Sequence, residues 1–126
     1  MHDFQNYQSK FATGFKISYE DNGYGTGSIM CVNPQYKNIE AMQFINDNYD
    51  DIKSFIESKT ALLSDIHQID DSPCMDYPII CVFDTNEFNT SYRITIHPGD
   101  YLIWDEEIHR FIVLQESVFL TLYREA

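Results

Sequence analysis

Asn38-Ile39-Glu40-Ala41-Met42-Gln43-Phe44 runs into Tyr49-Asp50-Asp51-Ile52-Lys53-Ser54-Phe55-Ile56, and the change of period between the two stretches decides the fold class. In the first, Ile39, Ala41 and Gln43 fall on one face of a strand and Glu40, Met42 and Phe44 on the other, because successive side chains point to opposite sides. Neither face is clearly polar, which predicts a strand covered on both sides. In the second, Tyr49, Ile52, Phe55 and Ile56 recur at i, i+3, i+6 and i+7, one stripe of an α-helix. Asn46 or Asn48 can cap that helix. Asp47, Asp50 and Asp51 fill its first turn and Lys59 sits near its end, each sign where the helix dipole favours it.

Working outward toward the N-terminus, Phe15, Ile17 and Tyr19 alternate with Lys16, Ser18 and Glu20, a strand pattern. Asp21-Asn22-Gly23-Tyr24-Gly25 supplies turn residues and Ser28–Val32 a second strand, so a hairpin is predicted, ended by Pro34. Residues 1–13 show no clear period and read as a loose arm or a short helix. Toward the C-terminus, Ala61–His67 reads as a strand and residues 68–77 as an acidic loop. Pro78–Phe83 is a continuous apolar run, predicted to be a buried central strand. Tyr92, Ile94 and Ile96 alternate as a half-buried strand. His97-Pro98-Gly99-Asp100 has the residues of a type II turn. Tyr101–Trp104 and Arg110–Leu114 form two strands around the acidic turn Asp105-Glu106-Glu107, and Glu116–Tyr123 is a short helix or a final extended segment. Short connections favour antiparallel pairing. The expectation is one α+β domain over residues 1–126: a curved antiparallel sheet of about five to seven strands, one main helix packed on it, and a short C-terminal helix or strand.

Charge narrows the function. Among 126 residues, 20 acids face 8 bases, a formal net charge of −12. Direct binding to nucleic acid is disfavoured, because that affinity comes from basic side chains releasing counterions. Anionic membranes are repelled; a basic protein partner is suited, and solubility alone is served equally well. The cysteines, Cys31, Cys74 and Cys81, are odd in number, which argues against a disulfide scaffold. Met1-His2-Asp3-Phe4-Gln5 shows neither a basic patch nor the start of an apolar signal core, and no run approaches membrane-spanning length. The expected location is a reducing cytoplasm.

Tyr36–Phe44, the helix Tyr49–Ile56, Tyr92–Ile96, Pro98-Gly99-Asp100-Tyr101-Leu102-Ile103, Phe111-Ile112-Val113 and Phe119-Leu120-Thr121-Leu122-Tyr123 follow one another in an order that resembles a group of small phage and prophage proteins with a Pro-Gly-Asp-Tyr signature. The resemblance spans roughly residues 36–126. It implies phage origin, a bacterial host cell and an accessory role, and brings no enzymatic activity with it. The 35 residues before it and the insertion at 68–77 depart from the group and are either a partner surface or decoration.

Chemistry-bearing constellations are weak. His67, Cys74 and Cys81 are spread along the chain, as are His97, Asp100 and His109, without the tight pairs of a structural zinc site. No elbow or helix start activates a cysteine. Asp70/Asp71 and Glu106/Glu107 are adjacent, and adjacency on a strand points carboxylates apart. Gly23, Gly25 and Gly27 precede a strand, where a dinucleotide fingerprint needs a helix. No enzyme activity and no cofactor is therefore expected. Three acidic clusters remain as candidate partner-binding residues: Asp47, Asp50 and Asp51; Asp70, Asp71 and Asp76; Asp105, Glu106 and Glu107. The leading expectation is a non-catalytic phage protein that binds and inhibits a host defence protein through an acidic surface, with a CRISPR nuclease as the most concrete partner. The alternatives are a small-molecule or nucleotide-signal sponge, and a virion assembly component.

Overall fold

The computed structural model describes residues 5–21, 27–70, 76–85 and 90–126. In chain order the elements are β1 (Gln5–Ser9), β2 (Gly14–Asp21), β3 (Ser28–Gln35), β4 (Asn38–Gln43), α1 (Tyr49–Lys59), β5 (Leu63–Gln68), β6 (Ile79–Asp84), β7 (Ser91–Ile96), β8 (Tyr101–Asp105), β9 (Arg110–Leu114), α2 (Glu116–Leu122) and β10 (Tyr123–Glu125). The class is α+β, as the change of period implies. The strands are shared among three open sheets: five in the order β10-β1-β4-β8-β9, three in the order β5-β6-β7, and the hairpin β2-β3. Every pairing is antiparallel.

The pair β4–β8 is the centre. Ala41 opposes Ile103 and Met42 opposes Leu102, and all five residues of β8 are buried. The lack of a polar face on β4 has its cause here, because both sides of this sheet are covered. On one side Met42, Leu102 and Trp104 meet Ile52, Phe55 and Ile56 of α1 and Ile79, Cys81 and Phe83 of β6. Phe111 of β9 joins these layers, with ring centroids 5.6 Å from Phe55, 5.8 Å from Phe83 and 4.9 Å from Trp104. On the other side Ile39, Ala41, Ile103, Tyr7 and Tyr101 are capped by Phe119 of α2. The Phe119 ring stacks on Tyr101 at 3.8 Å and 7°, and Tyr7 meets it edge-on at 4.8 Å. Burying each such ring is worth about 1.5–3 kcal/mol.

Local chemistry fixes the joints. The turn before β8 closes with Asp100 N–H donating to His97 O at 2.9 Å, and Gly99 takes φ +96°, a conformation that suits glycine. Gly99 N–H donates to Phe44 O and Phe44 N–H to Asp100 O, so the turn is tied to the end of β4. Asn48 occupies the position before α1, yet its side chain does not cap the helix. It spans the strand–helix joint, accepting from Ile45 N–H at 2.8 Å and donating to Gln43 O at 2.9 Å.

Two expectations are corrected, and a third is made definite. Residues 5–9 are neither a loose arm nor a helix; they form β1, held between β4 and β10. Of β1, only Tyr7 and Ser9 are buried, so backbone pairing on both sides, not an apolar stripe, makes it a strand. Pro34 does not end β3, which continues to Gln35. Among the described residues its sole strand partner is β2, and an edge strand tolerates a residue without an N–H. The C-terminal segment is helix and strand in succession, because β10 finds an edge at β1.

Candidate functional site

Two of the three acidic clusters share one end of the fold. The side chain of Gln68, at the end of β5, donates to Asn46 O at 3.4 Å and to Tyr77 O at 3.0 Å. The Tyr49 hydroxyl donates to Ile66 O at 3.2 Å. These bonds bring the start of α1, with Asp47, Asp50 and Asp51, beside the end of β5 and Tyr77, next to which Asp70 and Asp76 lie in the chain. Asp47, Asp50 and Asp70 are exposed; Asp51 and Asp76 are half-buried. Asp76 Oδ2 lies 3.1 Å from His97 Nδ1, which links this residue to the turn before β8. Asp100 is in that turn, its Oδ2 accepting from His97 N–H at 2.9 Å. Asp71 lies outside the described residues.

The third cluster is elsewhere. β8 begins beside Gln43, at the acidic end, and Asp105 is four residues further along, roughly 13 Å at strand rise. Asp105 is buried and forms an ion pair with Lys37 at 3.0 Å. Its other oxygen accepts from the N–H groups of Glu107 at 3.0 Å and Ile108 at 3.4 Å. Burial works to raise the Asp105 carboxyl. The Lys37 hydrogen bond and charge, with the two N–H donors, outweigh it and hold the group below the ordinary carboxylate range. The same pair raises Lys37. Glu106 accepts from the Trp104 indole N–H at 2.5 Å. Asp105 and Glu106 thus build their own turn, and Glu107 is exposed beside them.

The described members of the two His/Cys sets lie apart. Ile66 opposes Cys81 across β5 and β6, so His67, one residue on, faces away from Cys81. His67 is exposed and sits 3.2 Å from Asp65. Cys81 is buried, and burial, followed by the charge of Asp65, pushes its thiol up to about 12. That keeps it protonated, a core residue rather than a nucleophile. Cys74 lies outside the described residues. His97 pairs with Asp76, whereas His109 rests edge-on against Trp104 at 5.7 Å. No group of three metal-ligating side chains occurs among the described residues. Gly27 leads into β3; Gly23 and Gly25 lie outside the described residues.

Two clefts bear on the small-molecule alternative. One of about 260 Å³ is lined by Tyr7, Gln43, Asn48 and Tyr101 among others, and one of about 490 Å³ by Tyr92, His109 and Arg110 among others. In the second, the Arg110 guanidinium already lies over the Tyr92 ring at 4.3 Å. A feature missed by reading the sequence lies on the hairpin β2–β3. Phe15, Ile17 and Tyr19 form an apolar face on β2 that is exposed, although their alternation reads as a core face. No helix among the described residues is long and apolar enough to cross a membrane. In comparisons with known proteins, no family model matches the chain, and neither a curated protein nor a solved structure gives a significant match.

Proposed function

We propose that this chain is a non-catalytic binding protein whose acidic end engages a basic surface of a partner protein. The observation that carries the reading is the approach of the start of α1, with Asp47, Asp50 and Asp51, to the end of β5 and Tyr77, next to Asp70 and Asp76, through the Gln68 bonds to Asn46 O and Tyr77 O. Carboxylates at a helix start and at Asp70 and Asp76 beside it offer a partner several negative charges at once. Such a field steers association and selects a positive face. A groove that normally holds nucleic acid is a surface of that kind. The resemblance to small phage proteins with the Pro-Gly-Asp-Tyr turn supports a host defence protein as the partner and inhibition as the outcome, with a CRISPR nuclease as the first candidate.

The test uses a panel of purified defence nucleases, with binding followed by surface plasmon resonance at about 150 mM and about 500 mM salt. The wild type is compared with a triple variant, Asp47→Asn, Asp50→Asn and Asp70→Asn, which keeps side-chain shape at three exposed positions. The expected result is a complex whose association rate falls by about tenfold or more in the variant and at high salt. A complex indifferent to both, or no complex with any nuclease, counts against the reading.

A further inference from the structure

The hairpin β2–β3 is amphipathic, and its apolar half stands open. The register sets Phe15 opposite Pro34, Ile17 opposite Val32, and Tyr19 opposite Met30. Strand alternation places these six side chains on one face. Phe15 and Tyr19 are each 68% exposed, Met30 58%, Ile17 54% and Val32 52%, and Pro34 is exposed too. The other face is more polar: it sets Lys16 opposite Asn33 and Ser18 opposite Cys31, with Asn33 donating to Ser18 Oγ at 3.5 Å. Among the described residues β2 and β3 pair only with each other. A hairpin of two strands is marginal in water without a surface to pack on. A large ring carries about 150–250 Å², so the six side chains together expose roughly 600 Å², at the upper end for a protein that stands alone.

Charge selects among possible occupants. In a chain of net charge −12, β2 and β3 hold three charged residues: Lys16 within the ribbon, and Glu20 and Asp21 at the end of β2. Lys16 alternates onto the polar face. The six apolar positions carry no charge, so two copies of this acidic protein can touch there with Glu20 and Asp21 kept to the end of the ribbon. Area agrees: two such faces bury about 1,200 Å² in total, the lower limit of a specific interface.

We infer that the apolar face of β2–β3 is a self-association surface on which two copies pack face to face about a twofold axis. A small interface of this kind gives a dimer in equilibrium with monomer at micromolar concentration. Salt screens the repulsion between the acidic bodies and strengthens it. This is opposite in sign to the salt response of the acidic end, so the two proposals stand or fall separately.

Sedimentation velocity of the full chain, from about 1 to about 200 µM at about 50 mM and about 500 mM salt, reads the outcome. The wild type is expected to pass from one to two chain masses, further at high salt. Ile17→Lys is expected to stay monomeric throughout. Val32→Thr keeps the β-branched shape and is expected to weaken the dimer by about tenfold. Circular dichroism and the melting temperature confirm that each variant is folded, and if Ile17→Lys is not, Val32→Thr decides. A wild type that is monomeric at about 200 µM overturns the inference, as does a dimer that both variants leave intact. Growth beyond two chains would assign association to the open strand edges instead. A monomer that sediments with neutral phosphatidylcholine vesicles would assign the face to a lipid surface.

Discussion

β7 and β2 carry the same kind of stripe and end in opposite environments. In β7, Tyr92, Ile94 and Ile96 pack against the core that α1, β6 and β8 share. In β2, Phe15, Ile17 and Tyr19 face outward. The backbone periodicity is identical, so what differs is supply. β7 lies beside β6, and β9 is close behind it; β2 has only β3. Alternation thus states that one face of a strand wants cover, and leaves open whether the same chain provides it.

The largest effect is expected where cover is complete. Phe111 touches the rings of Phe55, Phe83 and Trp104 and is the point at which three layers meet. Phe111→Ala removes a whole ring from that junction and leaves a cavity. A loss of about 3–5 kcal/mol in urea unfolding is expected. A loss below about 1 kcal/mol would mean that the layers are loosely joined and the contrast with β2–β3 is false.

Next in size is the buried ion pair at the far end of β8. Asp105→Asn leaves the Lys37 ammonium half-buried and without its anion, and is expected to cost about 1.5–3 kcal/mol near neutral pH. The sign with pH follows from the depressed carboxyl. The unfolded carboxyl titrates near pH 4, the folded one lower, so its contribution is complete above about pH 4 and is lost as pH falls through the folded value. The gap between wild type and variant should therefore close on acidification. A gap that widens instead would show that Asp105 is not the charged partner.

Tyr7 reports on the cover that α2 supplies. Burial first, then the neighbouring Tyr101 and Glu125, raises its hydroxyl to about 12. A folded value above the unfolded one, about 10, gives stability that is full below pH 10 and declines as pH rises toward 12. Tyr7→Phe loses one hydrogen bond, to Gln5 Oε1 at 3.2 Å, and is expected to cost about 1 kcal/mol at neutral pH. It should also flatten the alkaline decline. An unchanged alkaline profile would mean that α2 leaves Tyr7 wet.

How much of this was legible follows the same division. α1, the turn at Gly99 and the strand pair β8–β9 were readable, because helix period, glycine conformation and apolar runs are local. β1 was not, since its strand nature rests on pairing with β4 and β10 from distant parts of the chain. The acidic clusters were legible as charge but not as a site. Asp47 and Asp70 share an end because Gln68 reaches Asn46, while Asp105 is claimed by Lys37, 68 residues away. Composition counts carboxylates; only the fold says which of them already have a partner.

The smallest effect belongs to the bare face, and it tests the comparison from the other side. Tyr19 is as large a side chain as Tyr92, yet it is mostly exposed and opposes only Met30 across the ribbon. In dilute protein, Tyr19→Ala removes little buried area, and a change within about 0.5 kcal/mol is expected. At high concentration a ring that packs against a second copy becomes part of the stability by mass action. The cost of Tyr19→Ala should then grow with protein concentration, while that of Phe111→Ala, set within one chain, should stay the same. Equal costs for Tyr19→Ala at both ends of the concentration range would leave the apolar face of β2–β3 without a role in self-association. A large cost in dilute protein would mean that the ribbon folds back on its own body in solution, and that β2 and β7 are alike after all.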